Sequence, residues 1–148
     1  MTYSDGDPNG FLDEPHVGVL HAVARTGTLA VPVWYRRAAD DISVITSLGS
    51  RKGRAISESG RFGLVVSTGY RYVSLEGPVV ETRECDFARD LVPMAARYLG
   101  GDGGRYAALW RDAVGDDLRV FVMRPEHRYS ADVTGEFAAL GIRPLPLP

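Results

Sequence analysis

The sequence predicts a mainly β domain, an antiparallel β-barrel with short helices packed on its outside. Segments that alternate with a period of two and are rich in β-branched residues recur between residues 17 and 82 and again at 118–124. Helix-like segments are fewer and cluster late in the chain. The order of the elements is strands, then helices, then a strand. This order lacks the βαβ alternation of a doubly wound sheet, so a barrel is favoured.

Six strands are predicted, at residues 17–24, 29–35, 42–46, 62–67, 70–82 and 118–124. Short turns join the first three, which are therefore predicted to form a meander. Pro32 removes one ladder donor from the second strand, which indicates an edge, a bulge or a rim where a ligand approaches. Gly77 marks a bend within the long fifth strand.

Three helices are predicted, at residues 50–57, 86–99 and 105–114. Ser50 has the side chain and position of an N-cap for the first of them. Pro93 lies inside the second, where it is expected to kink or split the helix, and glycines at 100 and 101 end it.

The composition is that of one domain. The chain has 148 residues, of which 45% are hydrophobic and 24% charged, enough to bury a core without a disulfide or a structural metal. Residues 11–132 form the predicted barrel domain. Residues 1–10 are polar and are predicted to be a mobile N-terminal arm, and residues 133–148 form a C-terminal segment ending in a proline-rich tail.

Charge and cysteine usage exclude several function classes. The net charge is −2, from 17 basic and 19 acidic residues, so no positive field attracts nucleic acid or an anionic membrane. One cysteine, Cys85, and three histidines predict neither a disulfide nor a zinc site. The apolar runs are too short for a membrane span and the first residues do not resemble a signal peptide, so a cytoplasmic protein is expected.

The densest cluster of hydroxyl and basic side chains follows the third strand. It contains Thr46, Ser47, Ser50, Arg51 and Lys52, and Lys52 is the only lysine in the chain. The first N–H groups of a helix lack partners and the helix dipole is positive there, so an anion such as phosphate is the natural ligand. The spacing is not that of a Walker loop. A solvated basic helix end is the alternative.

An ordered set of short motifs resembles the pyridoxamine 5′-phosphate oxidase-like superfamily of flavin-binding split barrels, and within it the branch that uses the deazaflavin coenzyme F420. The segments that carry the resemblance are Gly18-Val19-Leu20, Gly27, Pro32-Val33-Trp34-Tyr35, Thr46 with Ser50-Arg51-Lys52, Tyr70 to Val73, Glu76-Gly77, Arg97-Tyr98-Leu99-Gly100 and Arg124 to Ser130. The resemblance covers residues 11–132.

The resemblance implies a six-stranded split β-barrel that works as a homodimer, with the cofactor in a cleft between subunits. By that resemblance the phosphate is held at Thr46, Ser47, Ser50, Arg51 and Lys52. The ring is supported by the first two strands, and the cleft is closed by aromatic residues of the partner subunit. The ring-support positions are Val19, Leu20, Val31, Pro32 and Val33. The positions that close the cleft are Tyr70 and Tyr72. This chain has His21-Ala22 where the family often has Ala-Thr, and Leu29 where it often has proline, so ring contacts and substrate orientation can differ.

F420 is favoured over FMN because its polyglutamate tail is anionic and suits further arginines, for which Arg36, Arg37 and Arg54 are candidates. The chain is also shorter than true pyridoxamine phosphate oxidases. The implied reaction is hydride transfer from reduced deazaflavin to an unsaturated small molecule, for example a precursor of a secondary metabolite. It needs no metal and no catalytic triad. Tyr72, His21 and Tyr35 are the candidate proton donors, with solvent as the alternative.

Other functions stay open on the sequence alone. One is an FMN-dependent oxidase or reductase of the same fold. Another is a flavin, deazaflavin or haem-binding protein without turnover, in which His16, His21 or His127 would hold the haem; the last is a barrel that binds nothing. Several single residues also have structural interpretations: His21 and Trp34 as packing residues, Trp110 as a core or interface residue, His127 at the surface, and Cys85 as an inert thiol.

Overall fold

The computed structural model describes residues 7–146, which form eight strands and five α-helices. The strands are β1 (Gly18–Ala24), β2 (Gly27–Val33), β3 (Arg36–Ala38), β4 (Asp41–Ser47), β5 (Arg61–Thr68), β6 (Arg71–Glu84), β7 (Leu118–Met123) and β8 (His127–Asp132). The helices are α1 (Pro8–Asp13), α2 (Arg51–Ser59), α3 (Val92–Leu99), α4 (Gly103–Val114) and α5 (Thr134–Ala139).

The strands form one antiparallel sheet in the order β2-β1-β5-β6-β7-β4-β3, with β8 added beside β6. The strand β6 belongs to both halves, because Arg71–Pro78 pair with β5 and Val79–Glu84 pair with β7. Its register shifts between Val79 and Glu81, and such an irregularity bends a strand. The sheet curls without closing, so the predicted class of a mainly β split barrel with outer helices is confirmed.

Two predictions about the strands are wrong. The sheet has eight strands rather than six, because β3 is only three residues long and β8 is largely polar, which conceals both from a search for apolar alternation. The first three predicted strands form no meander, since β2 pairs with β1 whereas β4 pairs with β3 and β7. After β2 the chain crosses to the other half of the barrel at Trp34 and Tyr35.

The helix α1 packs its apolar side chains into the core of the barrel. Phe11 and Leu12 are buried with Tyr35, Phe62 and Phe121 in the main core. Asp7 caps the helix by accepting a hydrogen bond from the backbone N–H of Asn9. Residues 8–10 of the predicted mobile arm are therefore helical, and residues 1–6 of that arm lie outside the described residues.

A smaller core lies under α3 and α4, against β4 and β7, where Met94, Ala95 and Ala107 meet Ile45 and Val120. The predicted helix over 86–99 is continuous from Phe87 to Leu99 and changes from π to α geometry just before Pro93. Its first part, Phe87–Leu91, is a π-helical turn capped by Asp86, and Pro93 lies in the first turn of α3, where no intrahelical N–H is needed.

The C-terminal segment packs back on the barrel. The ring of Phe137 on α5 meets the ring of Tyr70 edge-on at 5.1 Å between centroids. Within residues 7–146, no helix combines the length and the apolar character that a membrane crossing demands.

Two neighbouring side chains of α3 lock α1 onto the barrel. The Arg97 guanidinium donates hydrogen bonds of 2.8 Å to the carbonyl oxygens of Leu12, Asp13 and Glu14, at the end of α1. The Tyr98 hydroxyl accepts from the backbone N–H of Tyr35 and donates to the carbonyl of His16. Arg97 and Tyr98 therefore have a structural role.

Replacing Arg97 with alanine is expected to lower the free energy of unfolding by about 2 kcal/mol, because hydrogen bonds from a charged donor to helix-end carbonyls are lost. Urea denaturation measures the change. Arg105→Ala is the control: that side chain is exposed and only 3.4 Å from exposed Asp102, so its loss costs less than about 0.5 kcal/mol. Equal losses for both variants would contradict the locking role of Arg97.

Candidate functional site

The loop between β4 and α2 is held by a chain of hydroxyl hydrogen bonds. Ser50 is the N-cap of α2, as predicted, and its Oγ accepts from the N–H of Gly53 and donates to the carbonyl of Ser47. The hydroxyl proton of Ser50 is engaged by the Ser47 carbonyl. Thr46 is therefore the donor in the 3.0 Å contact between the hydroxyls of Thr46 and Ser50. Gly53 lets the strand and helix approach this closely, because a Cβ there would lie 2.1 Å from the carbonyl oxygen of Ser47.

The carboxylate of Asp117 closes the same loop from the other side. It accepts hydrogen bonds from the Ser47 hydroxyl and from the backbone N–H of Gly49. These two bonds lower the pKa of Asp117. The protons of Thr46, Ser47 and Ser50 are thus all used inside the loop, so the three hydroxyls shape the site instead of offering spare donors to an anion.

The basic side chains at the start of α2 are unpaired in the described part of the chain and are available to a ligand. Within residues 7–146, neither Arg51 nor Lys52 forms an ion pair or a side-chain hydrogen bond. Their backbone N–H groups occupy the first turn of a helix, where no intrahelical acceptor exists. Two unpaired cationic side chains and the N–H groups of the first helical turn therefore lie at the start of α2, and Lys52 is the one that lines the neighbouring cleft.

That corner opens on an aromatic cleft of about 170 Å³. Trp34 stacks on Tyr98 with the ring centroids 4.8 Å apart and the planes within 7°, and Trp110 meets Trp34 edge-on at 6.2 Å. The lining is Pro32, Val33, Trp34, Ile45, Lys52, Tyr106 and Trp110. A cation at one end and flat apolar surfaces along the walls suit a phosphorylated molecule that carries a ring.

The predicted ring-support positions divide between the two faces of the sheet. Val19 and Pro32 are cross-strand partners on the outer face, and both are exposed. Leu20 is fully buried, and Val31 and Val33 pack in or against the barrel core. The side chain of Leu20 is thus not available to a ligand, whereas Pro32 and Val33 both line the aromatic cleft.

Tyr35 is placed differently from its prediction. Its side chain is fully buried, and its hydroxyl donates a 2.8 Å hydrogen bond to the carbonyl of Leu12. Burial raises the pKa of Tyr35 to about 12. Tyr35 is a core residue, so it is removed from the candidate proton donors.

The remaining predicted residues are spread over the surface. Tyr70 packs against α5 and donates to the carbonyl of Leu145, whereas Tyr72 is exposed on the outer face of β6. Neither lines the cleft of its own chain. Among the predicted tail-binding arginines, Arg37 is bonded to Asp13. Arg36 and Arg54 have no ion pair or side-chain hydrogen bond within the described part of the chain.

Cys85 and the histidines lie outside the lining of the aromatic cleft. Burial raises the pKa of the Cys85 thiol to about 11, so almost no thiolate exists at neutral pH. His16 contacts the carboxylate of Glu14 at 2.9 Å, and His127 is exposed. His21 lines a separate cavity together with Ala22, Val23 and Phe62.

Sequence reasoning missed Asp117, Tyr98 and Tyr106. Tyr106 and Trp110 are four residues apart on α4 and so share one helix face, which is a signal that the sequence does contain. Asp117 gives no local signal, because it reaches the β4–α2 loop only through the pairing of β7 with β4.

No family model and no curated protein matches the sequence. Solved structures do match. An F420 reductase shares 18% identity over 84% of this chain and 97% of its own, with a TM-score of 0.68. A conserved hypothetical protein from Mycobacterium tuberculosis shares 18% identity over 100% of this chain and 94% of its own, with a TM-score of 0.75.

A putative pyridoxamine 5′-phosphate oxidase from Listeria innocua is more distant, at 13% identity over 82% of this chain and 93% of its own, with a TM-score of 0.54. The chain therefore has the same split-barrel fold as these proteins. The resemblance predicted from the motifs is confirmed at the level of the fold, including its likeness to an F420 reductase.

The Asp117 contact makes a pH-dependent prediction. The lowered pKa in the folded state means that the unfolded chain binds this proton first as the pH falls. The stability due to the contact is therefore present above about pH 4 and lost as the pH falls through the folded pKa. Asp117→Asn is expected to be less stable than wild type at pH 7, with the gap narrowing as the pH falls below about 4. Urea midpoints measure it.

Ser47→Ala provides the control, because it removes the hydroxyl that donates to Asp117. In that background the loss of stability that Asp117→Asn causes at pH 7 should shrink. A loss that is unchanged by Ser47→Ala, or that grows as the pH falls below about 4, would contradict the assigned contact.

Proposed function

We propose that this protein is an oxidoreductase that binds reduced coenzyme F420 and directs its hydride to an unsaturated small molecule. The observation that carries the proposal is the junction of unpaired positive charge at the start of α2 with the aromatic cleft beside Lys52. The fold it shares with an F420 reductase supports the same assignment.

The cofactor phosphate is assigned to Arg51 and Lys52 and to the free N–H groups of the first turn of α2. Thr46, Ser47 and Ser50 act indirectly by fixing the loop that presents these groups. Asp117 leaves one negative charge near the site and so limits how tightly an anion is held.

The cofactor ring is assigned to the surface that runs from the cleft to the exposed pair Val19 and Pro32. The cleft volume of about 170 Å³ is small for a three-ring cofactor. A ring bound there would extend beyond the cleft onto the outer face of the sheet, and a second subunit would have to cover it. Tyr72 is exposed on that face and is a candidate for the cover from the partner.

F420 is preferred to FMN because more positive charge is free than one phosphate needs. Arg36 and Arg54, like Arg51 and Lys52, carry no partner carboxylate within residues 7–146. An anionic polyglutamate tail would use that charge. FMN, which carries a single phosphate, is the alternative cofactor. A comparative titration with F420 and FMN would then show tighter binding of FMN.

The bound cofactor supplies a hydride, and the protein supplies orientation, exclusion of water and a proton. Tyr72 and His21 remain as proton donors after Tyr35 is removed. The substrate is proposed to be an unsaturated compound, for example an intermediate of a biosynthetic pathway. A cytoplasmic location agrees with the use of a single cysteine, Cys85.

The second subunit is proposed to be another copy of this chain, docked on the outer face of the sheet. Val19, Val65, Ser74 and Tyr129 are cross-strand neighbours on that face. Exposed apolar side chains accompany them, namely Val17, Val23 and Tyr72. An exposed apolar surface of this kind is typical of an interface.

Lys52→Ala is expected to weaken the binding of F420 by roughly 10- to 100-fold, because a charge-assisted contact with phosphate is lost. Fluorescence titration with F420 and with FMN at fixed ionic strength measures the dissociation constants. Arg25→Ala is the control, because that side chain is 89% exposed at the β1–β2 turn and does not line the cleft beside Lys52. Unchanged affinity of Lys52→Ala for both cofactors would refute the phosphate site.

Tyr129→Arg combined with Val17→Asp is expected to convert the dimer to monomers, because charges would then be buried in an apolar contact. Sedimentation velocity measures the mass. Leu109→Asp, on the exposed side of α4, should leave the mass unchanged. A wild-type protein that sediments as a monomer would rule out the proposed assembly.

A further inference from the structure

A cavity of about 370 Å³ lies beside the small core under α3 and α4. Its volume falls in the range of about 300–1,000 Å³ that is usual for small-molecule sites. The cavity shares no lining residue with the aromatic cleft, and the proposed function assigns nothing to it. The lining comes from the end of β6, the π-helical turn, the end of α4 and the start of β7, and it consists of Glu84, Cys85, Phe87, Leu91, Arg111, Gly115, Asp116 and Leu118.

The less exposed lining residues form an apolar floor. Leu91 and Leu118 are buried members of the small core, and Cys85 and Phe87 pack against it. Burial raises the pKa of Cys85 to about 11, so the thiol is neutral at physiological pH. The floor therefore offers an apolar surface, without charge, to an alkyl or aryl group.

Arg111 supplies a positive charge at the exposed rim of the cavity. Its guanidinium lies over the ring of Phe87, 4.2 Å from the ring centroid, and this contact holds the charge beside the floor. Within residues 7–146, its one carboxylate neighbour is Asp112, which lies 3.6 Å from Nε in an exposed pair. Such a pair contributes little, so the two Nη groups remain available to a carboxylate.

Negative charge lies at the same rim, one helical turn further along the chain. Asp116 directly follows Gly115, the C-cap of α4, and the C-terminal end of a helix dipole favours a cation. In the described part of the chain, the carboxylates of Asp116 and Glu84 form no ion pair and no hydrogen bond. Arg119 is the cross-strand partner of Glu84 and donates to the carbonyl of Asp116, which offsets one of the two negative charges. One negative charge is therefore left for a ligand.

The two signs of charge are spaced for a zwitterion. Arg111 and Gly115 are four residues apart, about 6 Å along the helix axis. An α-amino acid carries a carboxylate and an ammonium group on one carbon, so each group can form a hydrogen bond with its own partner at this spacing. A simple anion would meet the unpaired Asp116, and a simple cation would meet Arg111. A zwitterion is therefore favoured over either.

We propose that this cavity is a second ligand site and that it binds an α-amino acid with an apolar side chain. The ligand carboxylate accepts hydrogen bonds from Arg111, and the ligand ammonium donates to Asp116. The ligand side chain packs on Phe87, Leu91 and Leu118. The site is separate from the cofactor corner, so the proposal does not depend on the oxidoreductase function.

The first test uses the wild-type protein and a series of ligands. L-Phenylalanine is titrated into ¹⁵N-labelled protein, and the amide resonances of Phe87, Gly115 and Asp116 are expected to shift. The amides of Arg51 and Lys52, at the cofactor corner, should stay in place. N-Acetyl-L-phenylalanine lacks the ammonium group and L-phenylalaninamide lacks the carboxylate. Each is expected to bind roughly ten-fold more weakly, because one charge-assisted hydrogen bond is lost.

The second test assigns each charge to its residue. Arg111→Gln is expected to weaken the binding of L-phenylalanine roughly ten-fold and to leave that of L-phenylalaninamide within about two-fold. Asp116→Asn should likewise weaken L-phenylalanine and spare N-acetyl-L-phenylalanine. Arg105→Gln is the matched control, because Arg105 is an exposed arginine of the same helix outside the cavity lining. Urea midpoints check that each variant is folded.

Each outcome decides the proposal. Unshifted Gly115 and Asp116 amides at ligand concentrations well above about 1 mM would overturn it, as would equal affinity for the three phenylalanine derivatives. Shifts confined to Arg51 and Lys52 would place the ligand carboxylate at the cofactor corner and would also overturn it. An Arg111→Gln variant that weakens L-phenylalanine and L-phenylalaninamide equally would refute the assigned contact. Failure of F420 and FMN to bind would refute the proposed function alone, because neither test uses a cofactor.

Discussion

The crossing of the chain at Trp34 and Tyr35 is the constraint on which the rest of this structure depends. Tyr35 is buried and bonded through its hydroxyl to Leu12 and through its backbone to Tyr98. The crossing takes β3 and β4 away from β2 and opens the barrel. Without it, a three-stranded meander would place the end of β4 far from the helices that now surround it.

The crossing also assembles the candidate site. Trp34 lies at the crossing and stacks on Tyr98, while the end of β4 carries the loop that starts α2. Lys52 and Trp34 thereby face one cleft, although 18 positions separate them in the sequence. The charge at the helix start and the aromatic wall are two consequences of one change in strand pairing.

Local signals predicted the elements well. Three predicted features are present: the alternation in β1, the serine cap of α2 and the basic cluster at Lys52. Each depends on residues that are close together in the chain. The helix over 86–99 is also present, with a change from π to α geometry just before Pro93. Strand pairing depends on distant residues, so the meander was wrong. The short β3 and the polar β8 lack the apolar alternation by which strands are found.

The sequence by itself determined the fold class, the positions of most strands and the presence of basic groups at a helix start, because each follows from local propensity and hydrophobic period. Only the tertiary structure decided which groups a ligand can reach. It used the protons of Thr46, Ser47 and Ser50 within a loop closed by Asp117, buried Tyr35, and set His21 over Gly63 beside Glu76. Each of these depends on contacts between strands and loops that are distant in the sequence, and no local pattern encodes them.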